Sequence, residues 1–198
     1  LQSSETIRHI SCQSHLELGI SEEEWVMAIG RIRDIQNLIL FCKPGSHDFH
    51  PFRALTDAVN NAQSLRKLGV DVFPSEPSEL IALANALQRH TALQDFSWYD
   101  MGRWREAAPP DFSVDIVLRA LPACPHLRKV FIATERASAD AWKELLQMHS
   151  ATYLYLRLTT DPLLAVSDEI RQGRCNVQKL AMSLLRGTVS EATEAVQV

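Results

Sequence analysis

Apolar side chains return along this chain at the first, fourth and sixth places of a six-residue template, L-x-x-L-x-L, in which L is any apolar residue. The template is met at Ile7, Ile10 and Cys12, at Ile35, Leu38 and Leu40, and at Leu65, Leu68 and Val70. It returns at Leu93, Phe96 and Trp98, at Leu127, Val130 and Ile132, at Ala151, Leu154 and Leu156, and at Val177, Leu180 and Met182. Its fourth and sixth places lie two apart, so in an extended chain both side chains point to the same side. Each copy therefore predicts a short strand with one buried face. A second pattern fills the intervals: eight-residue blocks, apolar at their first, fourth and eighth places, start at Trp25, Phe52, Leu80, Val114, Ala139, Leu163 and Val189. Steps of three and four mark one face of a helix. Capping signals precede several blocks: Ser21 with Glu24, Ser138 before Ala139, Asp161 before Pro162, and Pro51 before Phe52.

The strand copies start 24 to 34 residues apart, and each but the last is followed by one helix block before the next begins. The seventh helix block closes the series, so a single strand-turn-helix unit is written seven times. One unit cannot bury both its strand and its helix, whereas stacked copies can. In this pattern the chain resembles the leucine-rich-repeat superfamily, and within it the ribonuclease-inhibitor-like branch with long, helical repeats. The resemblance implies an α/β fold: a right-handed solenoid, or horseshoe, of about seven leucine-rich repeats, with the parallel sheet on the concave side and the helices outside. It takes in residues 1–198 as one domain. The family often carries Asn or Cys eight residues after the first template place. Here that place holds His15, Lys43, Phe73, Met101, Glu135, Thr159 and Leu185, so irregular strand-to-loop geometry is expected. The rival fold is a doubly wound α/β sheet, which also alternates strand and helix. It has no fixed period, and it usually shows a glycine-rich loop that this chain, with 7 glycines and no G-x-G-x-x-G, lacks.

Composition changes this picture little. With 46% hydrophobic and 22% charged residues the chain fits a globular protein, and a net charge of -4 offers no basic footprint for nucleic acid. No apolar run approaches the roughly 18 residues of a membrane-spanning helix, so no membrane insertion is expected. Cys12, Cys42, Cys124 and Cys175 form no C-x-x-C pair and read as free thiols of an intracellular, reducing compartment. His47 and His50 flank Asp48 in a loop, but no second histidine pair completes a tetrahedral set, so no metal or cofactor is expected. The remaining histidines, His90 and His126 among them, are read as surface residues at turns. Cys175 has Arg174 beside it, which favours a thiolate, but a plain loop cysteine is the default. Trp25, Trp98 and Trp142 fall at core positions. No nucleophile elbow or acid-base constellation stands out, so no catalytic residue is assigned.

If template places one, four and six face inward, places three, five and seven line the open face of the sheet. That face would carry Ile39 and Phe41 at one end, and Tyr99, Phe131, Tyr153, Tyr155 and Arg157 toward the other. Lys67, Asp71, Asp95, Lys129 and Lys179 would set its charge. Trp104 joins the candidates from "MGRWREAAPPDF", the insertion that lengthens the fourth repeat. Tyr, Phe and Arg are the residue types that anchor protein interfaces. The expected function is a non-enzymatic module that binds another protein on this face. The alternatives are a structural subunit held through its ends and helices, and an enzyme of unrecognised type. The short segment before Ile7 and the ending within the seventh helix block leave both ends of the stack without a polar cap. That leads to the expectation of a fragment, or of a subunit that self-associates or is covered at its ends.

Overall fold

Alternation of buried and open positions turns each template copy into a strand, and the repeat then sets how the strands pair. The computed structural model describes residues 8–13, 34–41, 52–71, 76–99 and 113–184, with Glu24, Ala28 and Pro74 as isolated positions. Seven strands are present: β1 (His9–Gln13), β2 (Asn37–Phe41), β3 (Lys67–Asp71), β4 (Asp95–Tyr99), β5 (Lys129–Ala133), β6 (Tyr153–Leu158) and β7 (Leu180–Leu184). They form one all-parallel open sheet in sequence order. The first six begin two residues past the start of their template copy, and β7 begins three past Val177. Every pairing joins like template places. His9 stands across from Asn37, Asn37 from Lys67, Lys67 from Asp95, Asp95 from Lys129, and Lys129 from Tyr153. At the last pair Leu154 faces Leu180 in the same register.

The backbone repeats as faithfully. At template place two, the carbonyls of Arg8, Gln36, Arg66, Gln94 and Arg128 each accept two N–H groups from the next unit, all at 2.7–3.0 Å. The sixth junction departs from this, with Leu154 N–H donating to Lys179 O and Gln178 N–H to Ala151 O.

Five helices are described: α1 (Phe52–Asn61), α2 (Pro77–Arg89), α3 (Asp115–Ala120, continued by a 3-10 turn at Leu121–Ala123), α4 (Ala139–Leu146) and α5 (Thr160–Arg171). Four of the five contain the block expected of them, and α4 coincides with its block residue for residue; α3 is shorter than its block, with Val114 at the N-cap and Leu121 in the 3-10 turn. The helices pack chiefly against their sequence neighbours. None is long and apolar enough to cross a membrane. Ser138 caps α4 as expected, its Oγ accepting from Ala141 N–H at 3.2 Å. Asp161 does not cap α5: the N-cap is Thr159, two residues earlier, which places Asp161 and Pro162 inside the first turn. The turn after α5 is a Schellman motif. Gly173 takes a φ of 71°, its N–H donates to Ile170 O, and Arg174 N–H donates to Glu169 O.

One continuous apolar core runs from Ile35 to Leu180. Template places one, four and six supply it with Leu65, Leu68 and Val70, Leu93, Phe96 and Trp98, and their equivalents, while the helices add Phe52, Leu83, Val117, Trp142 and Val166. Phe52 meets Trp98 edge-on, with ring centroids 6.3 Å apart. His90 is not at the surface: only 5% of it is exposed. Its Nδ1 accepts from Ala92 N–H at 3.3 Å, so Nε2 carries the proton and donates to Ala62 O, one repeat earlier, at 3.0 Å. A turn position in sequence is thus an inter-repeat brace in space: Ala62 O, just past the end of α1, accepts from Leu65 N–H within its own repeat and from His90 across to the next. Cys124 acts similarly, its Sγ donating to Leu87 O at 3.3 Å, and Ser64 Oγ donates to Ile35 O at 3.3 Å.

Candidate protein-interaction face

Because like places pair across all six junctions, the side chains pointing away from the helices form straight rows across the sheet. The described members of the place-three row are His9, Asn37, Lys67, Asp95, Lys129, Tyr153 and Lys179. Place five continues with Ile39, Gly69, Ser97, Phe131, Tyr155 and Ala181, and place seven with Asp71, Tyr99, Ala133, Arg157 and Ser183. Nearly all are half-buried or exposed, in contrast to the buried residues between them on β2–β6.

Gly69 and Ala133 depart from the expected exposure, since both are buried. A Cβ on Gly69 would come within 3.1 Å of Ile39 Cγ2, so Ile39 lies over the glycine from the next strand. Ala133 sits in its row between Tyr99 and Arg157, two side chains large enough to close over a methyl group.

The centre of the face is aromatic. Phe131 and Tyr155, directly opposite on β5 and β6, stack with centroids 4.6 Å apart and planes within 5°. Tyr99, diagonal to Phe131, covers its other side at 4.8 Å and 31°. Tyr155 Oη and Ser183 Oγ are 2.8 Å apart, tying the stack to β7. Ser183 is a contributor that the sequence placed in the row without marking it, because a hydroxyl has no periodic signature. Tyr153 is 39% exposed at the end of the place-three row, and Arg157 is half-buried beside Ala133. Lys67, Asp71 and Asp95 are half-buried, and Lys129 and Lys179 are exposed.

The structure therefore brings Tyr99, Phe131, Tyr153, Tyr155, Arg157 and Lys129 together on adjacent strands. Asp95 lies on the strand of Tyr99, across from Lys129, while Ile39, Lys67 and Asp71 are farther along the same sheet. Phe41 closes β2, and its side chain lies outside the described residues, as do Trp104, His47, His50, Cys12, Cys42, Trp25 and both chain ends.

Among the described residues no three His, Cys, Asp or Glu side chains gather as a metal site would require. Cys124 and Cys175 are free thiols. Burial pushes the Cys124 thiol from an ordinary 9.0 up to about 11, which suppresses its thiolate. Arg174, beside Cys175, grips Glu169 through two guanidinium nitrogens at 2.6 and 2.8 Å, so its charge is already answered.

No protein-family model matches this chain, and no curated protein matches it. Among solved structures it is similar to leiomodin-1 actin-binding site 2 (ABS2), at 12% sequence identity over 84% of each chain with a TM-score of 0.49. Likeness at that level assigns neither a family nor a function.

Proposed function

We propose that this chain is a non-enzymatic protein-interaction module, a leucine-rich-repeat horseshoe of the long-repeat, ribonuclease-inhibitor-like kind that seats a partner protein on its sheet. The observation that carries the reading is the Tyr99–Phe131–Tyr155 stack with Tyr153 and Arg157 beside it, on the sheet face turned away from the helices. Packed rings lose little side-chain freedom when a partner arrives, which suits them to act as interface anchors. Two physical arguments favour the horseshoe. Strands stack about 4.8 Å apart, whereas helices need about 8–10 Å, so a stack of such units curls with its strands inside. Parallel strands joined through a helix cross over right-handedly in nearly all proteins.

The test is affinity capture from native cells with the parent chain and with a Tyr153→Ala, Arg157→Ala double variant. A protein retained by the parent, lost by the variant, and lost without change in melting temperature is the expected result. A second reading, a structural subunit held through its helices, is favoured by Ile81, Ile116 and Leu164, which are 48%, 40% and 58% exposed on α2, α3 and α5. Capture indifferent to the face variant but abolished by Ile81→Asp and Leu164→Asp would select it. The enzymatic alternative draws no support from Cys124, whose thiol burial keeps protonated.

A further inference from the structure

The charge of the sheet face is uneven. At places three, five and seven of β2–β4 it carries Lys67, Asp71 and Asp95, of mixed sign. At the same places of β5–β7 it carries Lys129, Arg157 and Lys179 and no carboxylate, although the whole chain has a net charge of -4. Asp95, across from Lys129 in register, bounds this basic end. The aromatic stack lies within the same end.

The central ring is not presented face-on. Phe131 has Tyr99 on one side and Tyr155 on the other, so what it leaves exposed is its edge. A ring edge is the positive part of the aromatic quadrupole and suits an anion or another ring's face. Stacking platforms for single-stranded nucleic acid need open ring faces and a longer cationic track. Both properties favour a peptide.

Resting on the binding role proposed above, we propose that the segment seated on β5–β7 is an acidic peptide with an apolar or aromatic anchor. Its carboxylates meet Lys129 and Lys179, and the anchor lies between them against the edge of Phe131 and beside Tyr155. Lys129 and Lys179 occupy like places two strands apart, roughly 10 Å by strand spacing. An extended chain covers that in about three residues. The recognised pattern is thus two acidic residues about three apart, enclosing an apolar one. Both lysines are exposed, so charge reversal there leaves the core untouched.

The experiment selects a random twelve-residue peptide library on the full chain and measures enriched peptides by fluorescence anisotropy. The expected winners are acidic with an enclosed apolar residue. They should lose affinity on the order of tenfold or more against a Lys129→Glu, Lys179→Glu double variant, and recover it when their own acids are changed to lysine. Neutral or basic winners that still depend on Tyr153 would overturn the acidic partner while leaving the binding face standing. Enrichment indifferent to every face substitution, or none at all, would sink both readings. A fluorescent oligo(dT) 20-mer serves as the last arm: binding that the double variant abolishes would reassign the face to nucleic acid and overturn the peptide.

Discussion

Leu68 and Lys67 are neighbours on β3, yet one is fully buried and the other borders solvent across from Asp95. Leu68→Asp should cost about 2 kcal/mol in lost burial and several more for an unpaired interior charge, enough to unfold the surrounding repeats. Lys67→Asp should cost up to about 1 kcal/mol, because its new carboxylate would face Asp95. Urea unfolding of the two variants separates these outcomes, and equal midpoints would reverse the assignment of the two faces. Cys124 supports a second prediction. Its thiol is held up to about 11 in the folded chain, so between its unfolded value and that pH the native state binds more protons than the unfolded one. Its contribution to stability is complete below about pH 9 and declines as pH rises toward 11. Cys124→Ala should flatten the alkaline decline in unfolding free energy. Peptide mapping after iodoacetamide at pH 8 should find Cys124 unlabelled until denaturant is added.

At the scale of the element, helix ends depend on atoms that periodicity does not report. Ser138 holds Ala141 N–H and its own N–H donates to Asp115 Oδ1 at 2.8 Å, so one residue starts α4 and joins it to α3. Ser138→Ala should lower stability by about 1 kcal/mol, the usual cost of a lost N-cap, and Ser138→Asp should recover most of it. Thermal melts of the two variants check this. The block pattern located α4 residue for residue because Ala139, Trp142 and Leu146 repeat at helix spacing in a segment with a strong cap. It misjudged the start of α5. Asp161-Pro162 is a good cap signal in isolation, but the chain leaving β6 enters the helix two residues sooner, at Thr160.

Across the whole molecule each unit rests mainly on its two neighbours, and damage should spread accordingly. Leu156→Ala, in the middle of β6, should cost about 2–5 kcal/mol. Hydrogen exchange should then accelerate first in β5, β6 and β7 and in α4 and α5, with β2 and β3 slower to respond. Uniform acceleration from β2 to β7 would mean that the stack unfolds as one unit.

The sequence by itself determined the strand pattern, the number of strands described and their register. A period-two strand signal next to a helix signal, repeated at near-constant spacing, admits one parallel pairing of like places, because any slip by one residue would turn every Leu, Val and Ile of that strand to solvent. It also determined which residues share the open face, since alternation alone assigns Tyr99, Phe131, Tyr155 and Arg157 to one side. Tertiary structure decided what those residues do together. The stacking of Phe131 between Tyr99 and Tyr155, with centroids 4.6–4.8 Å apart, and the cover of Ile39 over Gly69 depend on side chains from adjacent strands meeting. It also decided the fate of His90. A histidine at a turn looks solvent-exposed in one dimension; in three its Nε2 adds an inter-repeat hydrogen bond to Ala62 O, which already accepts from Leu65 N–H, and the buried ring nitrogens would be costly to leave without partners.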